Sequence, residues 1–346
     1  MFAVDDLRLI RDQLVKIRRS SYFERPLLDH SDSLITLIDY VDQNELAIPA
    51  PIIMEIRRIL FSEQMFLSGS VSGEVPYEVV FSLKLALGDW GHKSDIITTA
   101  LLDDQNFYFR PSKGIWKFVA NTIPAFQLPA SQYSLIQIAF PRLYRSKPLF
   151  AIPLYHELGH FIDLTNRVSE VVLMSMNPAP PQSQSMLVLN HLREHFADLF
   201  AASYCGEVST SLLILLAGVQ PASFTHPATT VRTALVTDFL GGTQNVLIDA
   251  FQSALKQLGM PPLQIRYATP DVAKYFDNMR PTTFSTTSEI HGIYLSGFKY
   301  MEDKRQTQTG VWVGQSQKEV VRIVNDLVEK SIRNFDISER WKNGNP

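Results

Sequence analysis

Apolar positions near the start of the chain recur with the period of an α-helix. They lie three or four residues apart, at Leu7, Ile10, Leu14 and Ile17. This spacing places apolar side chains along one helical face. Two more amphipathic helices are predicted, from Ser31 to about Leu46 and from Ala50 to about Met65. Residues 1–85 are therefore predicted to be an N-terminal helical region.

Basic side chains fill the gaps between the apolar positions of the first predicted helix. They are Arg8, Arg11, Lys16, Arg18 and Arg19. Charged residues along an amphipathic helix are typical of a face exposed to water. We interpret these side chains as such a face, and a docking surface is the alternative.

The pattern changes between residues 107 and 143, where aromatic and β-branched residues cluster. The segments FYF, 107–109, and YSLIQIAF, 133–140, are predicted strands. The second is either a sheet edge, along which a substrate could add as a further strand, or an interior strand. Both alternatives remain open because its apolar residues do not strictly alternate.

Helical periodicity returns from Pro148 and is interrupted by NPAPPQSQS, 177–185, which is predicted to be a loop. This loop either covers the functional site or only connects two helices. The apolar run LLILLAGV, 212–219, is predicted to be a buried helix, because it is far shorter than the roughly 20 residues of a membrane span. Further breaks are predicted at Gly241–Gly242 and Pro261–Pro262, and a polar tail after Asn334.

Composition narrows the class of protein. The chain has 346 residues, 45% of them apolar, a net charge of −3 and a single cysteine. A net negative charge gives no broad attraction to phosphates, so nucleic-acid binding is not expected. Cys205 has no partner for an intrachain disulfide and is expected to be a buried thiol. Acidic residues at positions 5 and 6 do not fit a secretory signal, so a cytoplasmic protein without a membrane segment is expected.

The segment AIPLYHELGHFID, 151–163, contains the pattern H-E-x-x-H. On a helix, His156 and His160 project from one face about 6 Å apart along the axis, so both imidazoles can reach one metal ion. Glu157 lies beside them, where a carboxylate can take a proton from activated water without being a ligand. Gly159 leaves room for a second element to approach this helix closely.

A second predicted helix, 187–202, offers carboxylates four residues apart at Glu194 and Asp198. One of them can bind the metal while the other accepts a hydrogen bond from the free ring nitrogen of a ligating histidine. His191 is the reserve ligand, because it lies three residues before Glu194 on nearly the same face, whereas His195 points away. Asp163 is expected to be a supporting or exposed residue.

The combination of HExxH with the later E-x-x-A-D resembles the gluzincin zinc metallopeptidases. The resemblance covers about residues 148–202 and implies His156, His160 and Glu194 as zinc ligands, Glu157 as the catalytic base and Asp198 as a support for a ligating histidine. The stretch THPATTVR, 225–232, resembles the H-P-x-x-x-x-R element of the CAAX-prenyl and heat-shock membrane gluzincins, but the chain lacks their transmembrane helices.

That second resemblance implies two more functional residues. His226 would donate a hydrogen bond to the oxyanion of a tetrahedral intermediate, and Arg232 would orient a carboxylate or a substrate carbonyl. Both stand at a predicted helix start, for which Thr225 is the expected N-cap. An ordinary helix cap and a surface arginine are the alternative.

We therefore expect a predominantly helical α+β protein with a zincin-like, two-lobed metallopeptidase unit at 86–346. In that unit the small sheet and the HExxH helix, 105–175, face a helical lobe, 187–335, with the metal in the cleft. The expected activity is zinc-dependent cleavage of a specific intracellular protein or peptide, with one Zn²⁺ per chain. The alternatives are a regulatory or scaffolding protein with a structural or degenerate zinc site, and a zinc amidohydrolase acting on a small molecule. The sequence specifies neither the cleavage site nor the oligomeric state.

Overall fold

A computed structural model describes residues 2–19, 25–71, 77–104, 106–111, 114–130 and 135–342. The protein is predominantly helical with a small three-stranded sheet, which confirms the expected α+β class. Two compact units divide the chain: unit 1 comprises Met1–Tyr77 and Lys93–Arg145, and unit 2 comprises Glu78–His92 and Ser146–Pro346. The boundaries of these units differ from those of the two predicted regions, 1–85 and 86–346.

The elements fall in the following order. The helices are α1 Phe2–Arg18, α2 Arg25–Gln43, α3 Ala50–Gly69, α4 Tyr77–Asp89, α5 Ile115–Thr122, α6 Pro153–Asn166, α7 Val168–Ser175, α8 Gln182–Cys205, α9 Val208–Ala217, α10 Thr229–Gly241, α11 Val246–Gln257, α12 Ala273–Phe276, α13 Thr287–Thr307 and α14 Gln317–Lys342. The strands are β1 Ile96–Leu102, β2 Tyr108–Pro111 and β3 Leu135–Pro141. Short 3₁₀ turns lie at Arg142–Tyr144, Pro148–Ala151 and Gly310–Trp312.

The three predicted N-terminal helices are confirmed, although α2 begins six positions earlier than expected. Their apolar faces form a shared core, and the basic side chains of α1 meet acidic side chains of α2. Ion pairs join Arg8 to Asp42 at 2.7 Å, Arg11 to Asp39 at 2.5 Å and Arg18 to Asp32 at 2.5 Å. These arginines remain 39–55% exposed in the pairs, as the interpretation of a water-exposed face expects, and the docking alternative stays open.

The sheet has the order β1-β3-β2, with β3 parallel to β1 and antiparallel to β2. Both strand predictions are confirmed within the described residues, and Tyr133 and Ser134 lie outside them. Since β3 is the central strand, the edge-strand alternative is wrong and the interior one is correct. Strand β1 was not predicted, although its IITT segment carries the β-branched signal of a strand.

Two sequence predictions in unit 2 are wrong in extent. Of the predicted loop 177–185, residues 182–185 already belong to α8, because Pro181 occupies the N-cap position and the polar residues after it enter the first turn. The tail after Asn334 continues α14 to Lys342, where Arg340 pairs with Asp336 one turn earlier. The predicted break at Gly242 is confirmed, because this residue ends α10 with a φ of 65°.

The prediction that the run 212–219 is buried is also wrong. It forms the end of α9, but only Leu212 within it is buried, and Leu215 is 61% exposed. Pattern alone could not separate a buried helix from an exposed apolar one. Among the described residues, no helix has the length and apolar character that a membrane crossing requires.

Helices α6 and α8 pack against each other at unusually short range in unit 2. A Cβ at Gly159 of α6 would lie 2.8 Å from Cα of Ala197 in α8, closer than real Cβ atoms approach a backbone. Only glycine therefore allows this contact. The expectation that Gly159 admits a second element is confirmed, and the close crossing brings the HExxH helix to the helix that carries Glu194.

Candidate metal centre

Three side chains converge where α6 crosses α8. One ligand atom each of His156, His160 and Glu194 lies within 4.8 Å of the other two. Nε2 of His156 is 3.4 Å from Oε2 of Glu194, and Nε2 of His160 is 3.3 Å from Oε1. Two ligands bound at about 2.1 Å to a tetrahedral ion would be about 3.4 Å apart. The spacing therefore fits a metal ion of the size of zinc.

The carboxylate of Glu194 carries an unsatisfied oxygen. Glu194 is only 8% exposed, and Oε2 forms no hydrogen bond in the described part of the chain. Nη2 of Arg232 lies 3.3 Å from this oxygen, but it donates its hydrogen bond to Oδ1 of Asp198. A buried acceptor without a donor is costly unless another partner meets it. The two imidazoles and this carboxylate together match the nitrogen and oxygen donors that zinc prefers, so the residues fit a bound divalent metal.

Asp198 and Arg232 support the side chains of this cluster. Nδ1 of His156 lies 3.1 Å from Oδ1 of Asp198, which leaves Nε2 to face Glu194. Nε and Nη2 of Arg232 donate to the two oxygens of Asp198 at 2.7 Å each. Such bidentate pairing fixes the carboxylate, and the carboxylate fixes the imidazole. Arg232 is buried, so the carboxylate that it orients belongs to Asp198 and not to a substrate.

The cluster shifts the titration of its members. Burial alone would lower the pKa of His156, but the neighbouring carboxylates of Asp198 and Glu194 outweigh it and raise that pKa to about 10. Burial alone would raise the pKa of Glu194, but His156 and His160 hold it well below its usual range. The carboxylates of Asp198 and Glu194 therefore favour a positive charge at the cluster.

Glu157 and His226 lie at the margin of the cluster. Burial alone would lower the pKa of Arg232, but the carboxylates of Asp198, Glu194 and Glu157 raise it above its ordinary value. Glu157 therefore interacts electrostatically with the arginine that supports the cluster. Nε2 of His226 is 3.5 Å from Oε1 of Glu194, and its side chain is 55% exposed. Its Nδ1 is 2.8 Å from Oγ1 of Thr225.

The expected capping role of Thr225 is wrong. Helix α10 begins at Thr229 with Ala228 as its N-cap, so His226 stands in the loop before the helix. The backbone at Ala228 is extended, with φ −57° and ψ 139°, and the Thr225 hydroxyl bonds the imidazole of its neighbour. The loop therefore presents the His226 ring to Glu194 without a helical constraint.

The competing ligands lie elsewhere. Nε2 of His191 is 2.8 Å from the carbonyl oxygen of Ser223, and this contact holds the ring outside the cluster. His195 is buried, and burial lowers its pKa to about 4. Asp163 is buried too and accepts a hydrogen bond from the backbone NH of Ser169 at 2.7 Å. Cys205 is a buried free thiol, as expected.

Sequence reasoning did not anticipate how the His226 loop is attached. The anchor is the contact between His191 and Ser223, together with an amide hydrogen bond from Asn190 to the carbonyl of Phe224 at 3.4 Å. The sequence feature that could have indicated this anchor is the position of His191, almost one turn before Glu194. This position places the His191 side chain beside the cluster without making it a ligand.

Comparisons with known proteins give no relative for this arrangement. No family model matches the chain, no curated protein matches it, and no solved structure matches it. The functional assignment therefore depends on the chemistry of the residues themselves.

Proposed function

We propose that this protein is a zinc-dependent peptidase of the gluzincin type that cleaves peptide bonds in a specific protein or peptide. One observation carries the proposal: two imidazoles and a buried carboxylate converge within 4.8 Å of one another, and a glutamate directly follows the first histidine. A Zn²⁺ bound by His156, His160 and Glu194 would supply the Lewis acidity that activates water and polarises a scissile carbonyl.

The protein residues perform the proton transfer and the positioning. Glu157 accepts a proton from the attacking water at its carboxylate and later gives it to the departing amine. Asp198, clamped by Arg232, keeps Nδ1 of His156 protonated and its Nε2 directed at the ligand cluster. His226 donates a hydrogen bond from Nε2 to the oxygen on which negative charge develops.

The exposure of the site favours catalysis over a purely structural metal. Structural zinc sites are typically closed by four protein ligands, whereas catalytic sites leave one position open. The described residues supply three ligands, and the side chain of His160 is 20% exposed on one side of the cluster. A coordination position left open for water is what a hydrolytic reaction requires.

The test separates metal binding from chemistry. Glu157→Gln should retain about one zinc per chain and lose at least about a thousandfold in peptide cleavage, because an amide cannot accept the proton. Zinc content measured by mass spectrometry and cleavage of an unbiased peptide library give the two readouts. His156→Ala is the matched variant and should lose zinc as well as activity. Undiminished cleavage by purified Glu157→Gln protein would remove this mechanism.

A further inference from the structure

One stretch of unit 2 is free of formal charge. Between Glu207 and Arg232 the sequence contains no lysine, arginine, aspartate or glutamate, although such residues make up 19% of the chain. The stretch comprises α9, the loop with His226 and the first turn of α10. A surface segment ordinarily carries charges for solubility, so their absence over this length calls for a physical reason.

Large apolar side chains of this stretch are exposed. Five of them are between 41% and 66% exposed and define the apolar strip: Ile214, Leu215, Val219, Phe224 and Val231. Single exposed apolar residues are common, but several in one uncharged segment are typical of a surface that binds a partner.

Backbone hydrogen bonds connect the parts of the apolar strip. The NH of Thr229 donates to the carbonyl of Gln220 at 3.0 Å, and the NH of Gln220 donates to Oγ1 of Thr229 at 3.0 Å. This pair closes the loop at its base, so Val219 and Val231 flank one junction between α9 and α10. The chain that carries the strip therefore runs from the end of α9 through this junction, where α10 also begins.

The loop leads the apolar strip to the metal centre. The carbonyls of Ser223 and Phe224 are bonded to His191 and Asn190 of α8, about one turn before Glu194. His226, two residues after Phe224, has its Nε2 3.5 Å from Oε1 of Glu194. The backbone at Phe224 is thus fixed beside the cluster, while its ring remains 57% exposed.

We propose that the apolar strip binds the substrate polypeptide through an extended segment rich in large apolar side chains and poor in charge. This inference rests on the proposed peptidase function and names its substrate class. Burying apolar side chains on the strip stabilises the complex, whereas a charged side chain there would lose hydration without gaining an opposite charge. Continuity with the candidate metal centre favours a substrate over a second copy of the chain or a lipid surface.

The experiment measures binding without turnover. Two short fluorescein-labelled peptides are titrated with zinc-loaded Glu157→Gln protein: one of Leu, Phe, Gly and Ser, the other with Asp at every Leu and Phe. The apolar peptide should bind at least about tenfold more tightly by fluorescence anisotropy. Adding Leu215→Ser or Phe224→Ser should weaken its binding about tenfold each, as expected for losing one buried apolar side chain.

The control is Val246→Ser at the start of α11, which removes an 85% exposed valine outside the strip and should leave binding unchanged. Thermal unfolding of each variant checks that the exposed substitutions leave the fold intact. Equal binding of both peptides, or loss of binding in the control alone, would overturn the inference. So would self-association or binding to phosphatidylcholine vesicles that depends on the strip while neither peptide binds. Cleavage by the wild-type chain without any effect of Leu215→Ser or Phe224→Ser overturns this inference alone, whereas strip-dependent binding without cleavage overturns the peptidase proposal alone.

Discussion

Helix α6 separates two buried clusters that start from neighbouring residues and differ in charge. His156 faces the carboxylates of Glu194 and Asp198, and its pKa is raised to about 10. Tyr155 faces His291, whose pKa burial lowers to about 3, with a smaller contribution from Arg266. His291 is buried and the His156 side chain is only 17% exposed, so burial alone does not decide their protonation state.

The pKa values of the two histidines differ because different groups contact the two rings. Around His291 the rings of Tyr155 and Tyr204 pack at 5.9 and 4.7 Å, and the Tyr155 hydroxyl lies 3.0 Å from Nδ1. Such neutral contacts stabilise a neutral imidazole. Around His156, two carboxylates share one arginine, and the excess of negative charge favours a cation. The His291 cluster is therefore part of the core, whereas the His156 cluster is a candidate metal site.

The pH dependence of stability is the largest expected effect on the neutral cluster. Because the pKa of His291 is about 3 in the folded chain and 6.5 when unfolded, the unfolded chain alone takes up a proton between these values. The contribution of His291 to stability is fully present above pH 6.5 and falls by several kcal/mol as the pH drops towards 3. Chemical denaturation from pH 7 to pH 3 measures this loss. His291→Gln should make this slope shallower without removing it, because burial also lowers the pKa values of His30 and His195 to about 4. An unchanged slope in this variant would assign the loss to those other groups.

Removing a ligand from the charged cluster is the next largest effect. Glu194→Ala should weaken zinc binding at least about a hundredfold, since it removes a charged donor. His191→Ala should leave zinc affinity unchanged, because its ring contacts Ser223 and not the cluster. Competition with a fluorescent zinc chelator measures both variants. If His191→Ala lost zinc and Glu194→Ala did not, the third ligand would be His191.

The supporting carboxylate should have a smaller effect. Asp198→Asn should lower zinc affinity about 10- to 100-fold, because the neutral amide holds His156 and Arg232 less strongly. Asp238→Asn is a matched control on α10, where the carboxylate accepts only from Asn245 in the described structure, and should not change zinc affinity. An equal loss in both variants would show a general effect of aspartate removal.

The smallest expected effect concerns a single neutral hydrogen bond. Tyr155→Phe removes the hydroxyl next to Nδ1 of His291 and should lower the free energy of unfolding by about 1 kcal/mol. Zinc affinity should stay the same, although position 155 adjoins a ligand. Urea denaturation and chelator competition give the two values. A large loss of zinc affinity would show that the two clusters are coupled and would break the contrast between them.

The sequence predicted α1 to α3, the HExxH helix, the helix that carries Glu194 and the side chains that meet at the cluster, but not individual helices such as α5 and α7. Periodicity was sufficient for α1 and α3, and the HExxH spacing placed His156 and His160 on one face. It was insufficient for α9, because an apolar run has the same pattern whether a neighbour covers it or not. The contact of His191 with Ser223 was also beyond prediction, since it joins a helix to a loop more than thirty residues later.

The central claim is that His156, His160 and Glu194 bind one divalent zinc ion. Diffraction from crystals of the full chain, recorded on both sides of the zinc absorption edge, tests it most directly. We expect one anomalous peak about 2.0 to 2.2 Å from a nitrogen of each imidazole and an oxygen of Glu194. If zinc-supplemented crystals gave no peak there while the three side chains kept their direct contacts, the claim would be contradicted.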